Sequence, residues 1–304
     1  MRDRFKLFLL PSIVLVFAVF LSMLMVYAYN SAPIFAREGL GIYFENVWRA
    51  AEEAEREYYG VLAAIWGSVY TSVIAVSIAL PLSIAYSIFV TDYAPRRIKN
   101  YLIILSDIMA GLPTIIYGIW GAFVLVPFLK EYVMKPLHEA LSFIPLFSYP
   151  PTTGYSYFSA GILLAIMVTP FASAIIREAY QFIPFTYREA AYSLGATRWE
   201  TTKILLGYIK PAIFSGLILA FGRAIGETVA VSLVIGNSFN LTLSLFAPGY
   251  TISSLIANQF GNAFIYRYMV SALFAAGFAL FFIGLAVNAA GFYFIRRWES
   301  RVKL

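Results

Sequence analysis

Six long apolar segments dominate this chain and restrict it to a small set of folds. Each holds about 20 or more mostly uncharged residues, the length that an α-helix needs to cross a bilayer's hydrocarbon core of about 30 Å. Backbone groups in lipid must hydrogen-bond within the segment, which favours helices for runs of this length. We therefore predict an all-α integral membrane protein with six transmembrane helices, at 7–29, 61–90, 101–129, 157–176, 211–236 and 268–295.

Charge content supports this class of protein. Of the 304 residues, 61% are hydrophobic and only 12% are charged, whereas soluble domains carry about 25% charged residues. The chain has no cysteine and a single histidine, His138, which excludes disulfide frameworks, cysteine-based zinc sites and thiol chemistry. An intramembrane enzyme would need a catalytic pair or a metal-binding set, and His138 lies in a predicted outer loop. We expect no catalytic residues, no metal and no cofactor.

The distribution of lysine and arginine predicts the orientation. With a cytoplasmic N-terminus, 15 of the 22 basic residues fall in inner segments and six in outer segments, as the positive-inside rule requires. Both termini and the 177–210 loop are then cytoplasmic. The net charge of +6 is explained by topology and lipid headgroups and does not indicate nucleic acid binding.

The predicted regions follow from these spans. Residues 1–60 form the first transmembrane helix and an acidic outer loop, which we expect to contain a solvated helix. Residues 61–295 form the membrane core, and 296–304 a basic cytoplasmic tail. The second outer loop, 130–156, is proline-rich and expected to be largely irregular. In the third, 251–260 is expected to form a short helix at or dipping into the membrane surface.

The 177–210 loop has the pattern of two short helices joined by a tight turn. Thr186 and Glu189 have the spacing of a capping box, as do Thr197 and Glu200. Gly195 stands where the first helix must end, and glycine tolerates the left-handed conformation that helix ends often adopt. An ordinary connecting loop is the alternative. The small side chains that follow Glu189, at 190 and 191, leave one side of the first helix bare and suited to docking.

Charged residues inside the predicted spans are scarce. Arg223 lies about 12 residues into the fifth span, or roughly 18 Å along a helix, near the bilayer midplane. Glu227 follows four residues later on the same face and can partly neutralise it. Gly222 and Gly226 form a G-x-x-x-G pattern that allows a second helix to approach closely. The pair is either a buried ion pair that locks helices or a polar point on an anion path. Asp107, in the third span, is a path residue or a helix-packing partner.

Several of these strings resemble one family. The run from Glu189 to Gly195, Glu-Ala-Ala-Tyr-Ser-Leu-Gly, resembles the E-A-A-x-x-x-G motif of ABC importer permease subunits. The strings at 111–127, 222–228 and 240–249 resemble the phosphate importer permeases of the PstC type. The likeness covers about 61–295. One departure is that the family's Ile-x-Leu-Pro reads Leu-Leu-Gly-Tyr at 205–208, with a proline only at Pro211. The second loop helix is therefore expected to run on further.

The resemblance implies an ABC importer permease fold with cytoplasmic coupling helices, in a multi-pass protein of the cell membrane. It also implies three partners: a second permease subunit in a heterodimer, a pair of ABC ATPase subunits, and an extracytoplasmic phosphate-binding protein. No G-x-x-x-x-G-K-[S/T] motif occurs in the chain, so ATP hydrolysis is expected from the partner. The substrate path is assigned to Arg223, Glu227 and Asp107. Coupling to the ATPase is assigned to Glu189, Ala190, Ala191, Gly195 and Arg198.

Other functions remain open from the sequence. The chain could be a permease for another oxyanion, such as sulfate or molybdate, or the sister subunit of a phosphate system. The strings at 117–127 and 222–228 argue against both. A stand-alone channel would not need the coupling loop.

Overall fold

The computed structural model describes the backbone from Arg2 to Val302 and the side chains from Leu10 to Arg297. The described chain is mostly helical, because apolar runs of this length satisfy their backbone groups within the helix. The helices are α1 (Arg2–Glu38), α2 (Leu62–Ile88), α3 (Arg96–Gly111), α4 (Thr114–Trp120), α5 (Val126–Leu129), α6 (Lys135–Leu141), α7 (Tyr157–Gln181), α8 (Phe185–Ser193), α9 (Arg198–Tyr208), α10 (Lys210–Gly226), α11 (Val229–Ser232), α12 (Ile252–Gln259) and α13 (Met269–Val302).

Between residues 2 and 302, five helical segments are long and apolar enough to cross a membrane. They are Leu10–Tyr43, Leu62–Tyr93, Thr114–Leu141, Tyr157–Gln181 and Met269–Arg297. A sixth is present if α9 and α10, which meet at a 66° bend, are counted as one broken span. The predicted membrane class and all-α architecture are confirmed. The orientation of the termini stays a prediction.

The third span differs from its prediction. The segment predicted at 101–129 is broken at Leu112 and Pro113, because proline disfavours the helical conformation of the residue before it; Leu112 accordingly has an extended ψ of 139°. The preceding helix, α3, is separate and amphipathic. The span is Thr114–Leu141, in which single π-helical turns, Gly121–Leu125 and Lys130–Met134, connect α4, α5 and α6. Part of the outer loop predicted to be irregular is therefore helical.

The predicted solvated helix in the first outer loop is wrong. A 3₁₀ turn, Gly39–Tyr43, follows α1, and two short strands then pair antiparallel: β1 (Trp48–Arg49) and β2 (Tyr58–Tyr59). The acidic residues lie in the connection, and the last of them, Glu57, is buried. Its carboxylate accepts hydrogen bonds from the backbone N–H groups of Arg267 and Tyr268, just before α13, and from the hydroxyl of Tyr59. Glu57 is therefore held by contacts with distant residues and not by a local helix.

The membrane core forms around α2 and α7, with α10 packed against both of them and α13 packed against α10. Gly161 allows α7 to approach α2, since a Cβ atom there would lie 2.4 Å from a methyl group of Ile74. The Ser87 hydroxyl of α2 donates to the Ser173 carbonyl of α7 at 2.9 Å. Helix α1 lies outside this core, against α13, where Tyr27 faces Gly277. Glycine at such contacts brings helix backbones together in membranes.

The fifth span also differs from the prediction of a continuous helix over 211–236. Helix α10 ends at Gly226, and Glu227 adopts an extended conformation, φ −70° and ψ 127°. A single turn, α11, follows. The short helix expected near 251–260 is confirmed as α12, capped at Thr251 by a reciprocal pair of bonds with Ser254. Its N-terminal half is buried between α2, α11 and α13, so it lies inside the protein.

Candidate functional site

The 185–208 segment, here named the coupling element, consists of α8, a tight turn and α9. The two predicted helices and their turn are confirmed. The capping box at Thr197 is present. The Glu200 carboxylate accepts a hydrogen bond from the Thr197 N–H at 2.8 Å, and the Thr197 hydroxyl accepts one from the Glu200 N–H at 3.3 Å. The capping box predicted at Thr186 is wrong. Helix α8 begins directly after Pro184, so Thr186 already lies in its first turn.

Gly195 ends α8 with φ of +81°. The N–H of Gly195 donates to the Tyr192 carbonyl at 3.0 Å, and the N–H of Ala196 donates to the Ala191 carbonyl at 3.1 Å. This pair of bonds is the Schellman motif, which satisfies the last carbonyls of a helix and requires a left-handed residue. The prediction for the Gly195 backbone is confirmed. This turn allows α9 to begin at Arg198, only four residues after Leu194.

The coupling element exposes apolar side chains. Leu194 is 88% exposed at its tip, and Phe182 just before the element is 84% exposed. Six further large apolar residues of the element are exposed: Phe185, Tyr187, Tyr192, Trp199, Ile204 and Tyr208. Soluble surfaces seldom present so many apolar groups together unless a partner covers them.

The residues assigned to docking divide into two groups. Glu189 and Ala190 are exposed on α8, as docking to a partner requires. Ala191 is only 6% exposed and packs within the chain. Arg198 is exposed but is held by the protein: its guanidinium donates to the Asp92 carbonyl and lies 4.2 Å from the ring centroid of Tyr93. The bare alanine side predicted from the sequence is therefore half covered by the protein itself.

Asp92 was not identified as a site residue from the sequence. It lies in the π-helical turn Phe89–Tyr93 that closes α2, and its side chain is 9% exposed. One carboxylate oxygen accepts from the hydroxyl of Tyr180, on α7, at 2.7 Å; the other accepts from Arg188, on α8, at 2.8 Å. The only clue in the sequence was an acidic residue at the inner end of a predicted span.

Arg223 lies in the last turn of α10, where the carbonyl ends of the helix favour a positive charge. Its guanidinium stands 5.7 Å from the ring centroid of Phe171, on α7. Its Nε atom is buried without a hydrogen-bond partner. The adjacent Gly222 and Gly226 have nothing within 4 Å of the position that a Cβ would take. This face of α10 is therefore not covered by another part of the described chain.

Glu227 does not neutralise Arg223 in the predicted way. It lies beyond the end of α10 rather than one turn along it, and no ion pair joins the two among the described side chains. One carboxylate oxygen lies 3.5 Å from the Ala230 N–H, and the Glu227 carbonyl accepts from Ser253, on α12, at 2.8 Å. Glu227 thus stabilises the break between α10 and α11.

Asp107 does not lie in the third span, contrary to the prediction. It belongs to α3, its side chain is 56% exposed, and one oxygen stands 3.4 Å from Arg177 of α7. Arg177 is the buried member of this pair, with its Nη1 atom lacking a hydrogen-bond partner. This contact is of the kind that the helix-packing interpretation of Asp107 describes. The assignment of Asp107 to the path stays a prediction.

Comparison with known proteins agrees with this architecture. The family model described as the inner membrane component of binding-protein-dependent transport systems matches residues 83–300. Two solved structures share the fold. A bacterial ABC transporter involved in the import of the acidic polysaccharide alginate gives a TM-score of 0.63 at 18% identity, covering 97% of this chain and 96% of that one. The MetNI methionine ABC transporter gives 0.56 at 14% identity, covering 78% and 95%.

The fold and these matches define a transport permease of the ABC importer type. The chain belongs to the family of inner membrane components of binding-protein-dependent transport systems. Within that family, it is 65% identical over 300 residues to a protein of Methanocaldococcus jannaschii described as a probable phosphate transport system permease protein PstC, covering 99% of this chain and 95% of the relative. It is 40% identical over 289 residues to the phosphate transport system permease protein PstC of Xylella fastidiosa, covering 93% and 87%.

Proposed function

We propose that this chain is a permease subunit of an ATP-driven importer of inorganic phosphate. It would form the path across the membrane together with a sister permease. The substrate is taken from the two relatives described as phosphate transport system permeases, which match this chain over most of its length. The chain holds no P-loop motif, so the energy is assigned to a separate ABC ATPase pair. An extracytoplasmic phosphate-binding protein would deliver the substrate.

The exposed apolar surface of the coupling element supports the proposal that the ATPase binds to this chain there. Helices α8 and α9 are each too short to span a bilayer, and their exposed side chains include Leu194 and Trp199. Large apolar and aromatic side chains of this kind form the centres of protein interfaces. The ATPase would bind here, touching Glu189 and Ala190, while Gly195 holds the turn. Ala191 would support the surface from inside, and the exposed Arg198 would hold α9 to the end of α2.

The substrate path is proposed to run along the open face of α10. A guanidinium at membrane depth is costly and usually faces a cavity or a partner. A break in a helix at membrane depth is tolerated where the backbone is buried in protein or lines a water-filled cavity. The break at Glu227 would be of this kind, and it directly follows the helical turn that carries Arg223. Arg223 would offset the charge of phosphate. The sister permease would cover Gly222 and Gly226, where this chain leaves space.

Uptake by reconstituted vesicles tests this function. The chain would be purified with its ATPase, sister permease and binding protein, and the uptake of radiolabelled phosphate measured with ATP inside. We expect uptake that requires ATP and this chain, and that excess unlabelled phosphate suppresses but excess sulfate or molybdate does not. Undiminished uptake without this chain, or stronger competition by sulfate or molybdate, would refute the proposal.

A further inference from the structure

The coupling element can move the spans only if it is held firmly against them. It continues into α10 through a 66° bend, a joint that could flex. The other end of the element follows α7 after three residues, 182–184. A further attachment, made by side chains, lies where the end of α2 meets α8 and α9. That attachment is centred on Asp92.

Asp92 touches three elements at once. Its two carboxylate oxygens accept hydrogen bonds from Tyr180 of α7 and Arg188 of α8. Its backbone carbonyl accepts a hydrogen bond from Arg198 of α9. The Arg188 guanidinium also lies 5.1 Å from the ring centroid of Tyr180. Arg198 is held over Tyr93, the residue next to Asp92. A single residue at the end of one span thus contacts both helices of the coupling element and a second span.

We infer that Asp92 is a positioning residue that fastens the coupling element to the inner ends of α2 and α7. The inference rests on the proposed transport function. Charge-assisted hydrogen bonds are short and strong, and both side chains of the Asp92–Arg188 pair are largely buried, 9% and 18% exposed. Screening by solvent is therefore weak at this site. A force applied to α8 would reach α2 and α7 directly, without passing through the bend at Ile209.

Conversion of Asp92 to asparagine separates this role from a general role in folding. Asp92→Asn keeps the size of the side chain and one acceptor oxygen but removes the charge that holds Arg188. In the reconstituted complex, we expect normal assembly and basal ATP hydrolysis, with the phosphate imported per ATP hydrolysed reduced about tenfold, as expected for a lost charged hydrogen bond. The matched control is Glu178→Gln, which neutralises an exposed carboxylate on α7 near Tyr180 and should leave the ratio unchanged.

A spin label supplies a readout that does not depend on transport. The chain has no cysteine, so a single label at Thr186→Cys, an exposed position on α8, reports the motion of the coupling element in the assembled complex. We expect the label to be immobile in the wild-type background and mobile with Asp92→Asn. If the wild-type complex imports no phosphate, the proposed function fails, while a mobile label in the variant still supports the fastening role.

Two results would overturn the inference. One is a wild-type ratio of phosphate to ATP together with an unchanged label in Asp92→Asn. The second result applies if Asp92→Asn does not assemble, so that its ratio and label cannot be measured. In that case Tyr180→Phe, which removes one hydrogen bond and keeps the ion pair, is expected to lower the ratio by a smaller factor. A wild-type ratio and an immobile label in Tyr180→Phe would then show that Asp92 serves folding alone.

Discussion

Replacement of Gly195 by valine isolates the contribution of one backbone angle to coupling. The residue has φ of +81°, and a Cβ atom built on it meets nothing within 4 Å. The cost of the substitution therefore comes from the left-handed backbone and not from a collision. For a residue with a Cβ, that conformation costs about 1–2 kcal/mol, and valine is among the least tolerant because it is β-branched.

This cost acts on the turn between α8 and α9. A change of about 1–2 kcal/mol shifts the equilibrium between the observed turn and rearranged forms by a factor of about 5 to 30. The two hydrogen bonds of the Schellman motif, at 3.0 and 3.1 Å, would be lost in the rearranged forms. Leu194 and the start of α9 would then no longer present one surface.

Two controls define the assay. Gly195→Asn should behave close to wild type, since asparagine enters the left-handed region more readily. Gly207→Val makes the same chemical change inside α9, also with nothing within 4 Å of the added Cβ, and should be neutral. Co-purification with the ATPase, ATP hydrolysis stimulated by the binding protein, and phosphate uptake would be measured for each variant. We expect uptake by Gly195→Val to fall, by at most the same factor of about 5 to 30. Wild-type uptake and stimulation in Gly195→Val would refute the reasoning.

Three further predictions concern orientation, the path and packing. A cysteine at Thr197 should react only with a membrane-permeant thiol reagent, and one at Ser142 with an impermeant reagent added outside; outside labelling at Thr197 would reverse the topology. Arg223→Gln should abolish phosphate uptake while leaving assembly with the ATPase intact, and retained uptake would remove Arg223 from the path. Gly161→Leu should lower stability by about 1–3 kcal/mol, as overpacking typically does, because its Cβ would lie 2.4 Å from Ile74; an unchanged unfolding temperature would contradict this packing.

The sequence was sufficient wherever the controlling interactions are local. A run of apolar residues predicts a membrane helix because the helix satisfies its own backbone. The Gly195 turn and the capping box at Thr197 involve residues within five positions of each other, so their spacing could be read directly. The helix break before Pro113 also follows from a local rule, but the prediction of the third span relied on hydropathy, which is high on both sides of the break. The predicted span therefore begins about 13 residues too early.

Partnerships between distant residues were decided by the tertiary structure alone. Arg223 and Glu227 have the spacing of a helical pair, yet the helix ends between them at Gly226 and Glu227 bonds to Ser253 of α12. Asp107 pairs with Arg177, 70 residues away, and Asp92 with Arg188, 96 residues away. A charged group in a low-dielectric setting takes whatever compensating group the packing brings within about 3 Å. Which group that is depends on how α2, α3, α7 and α8 meet, and spacing along the chain carries no record of it.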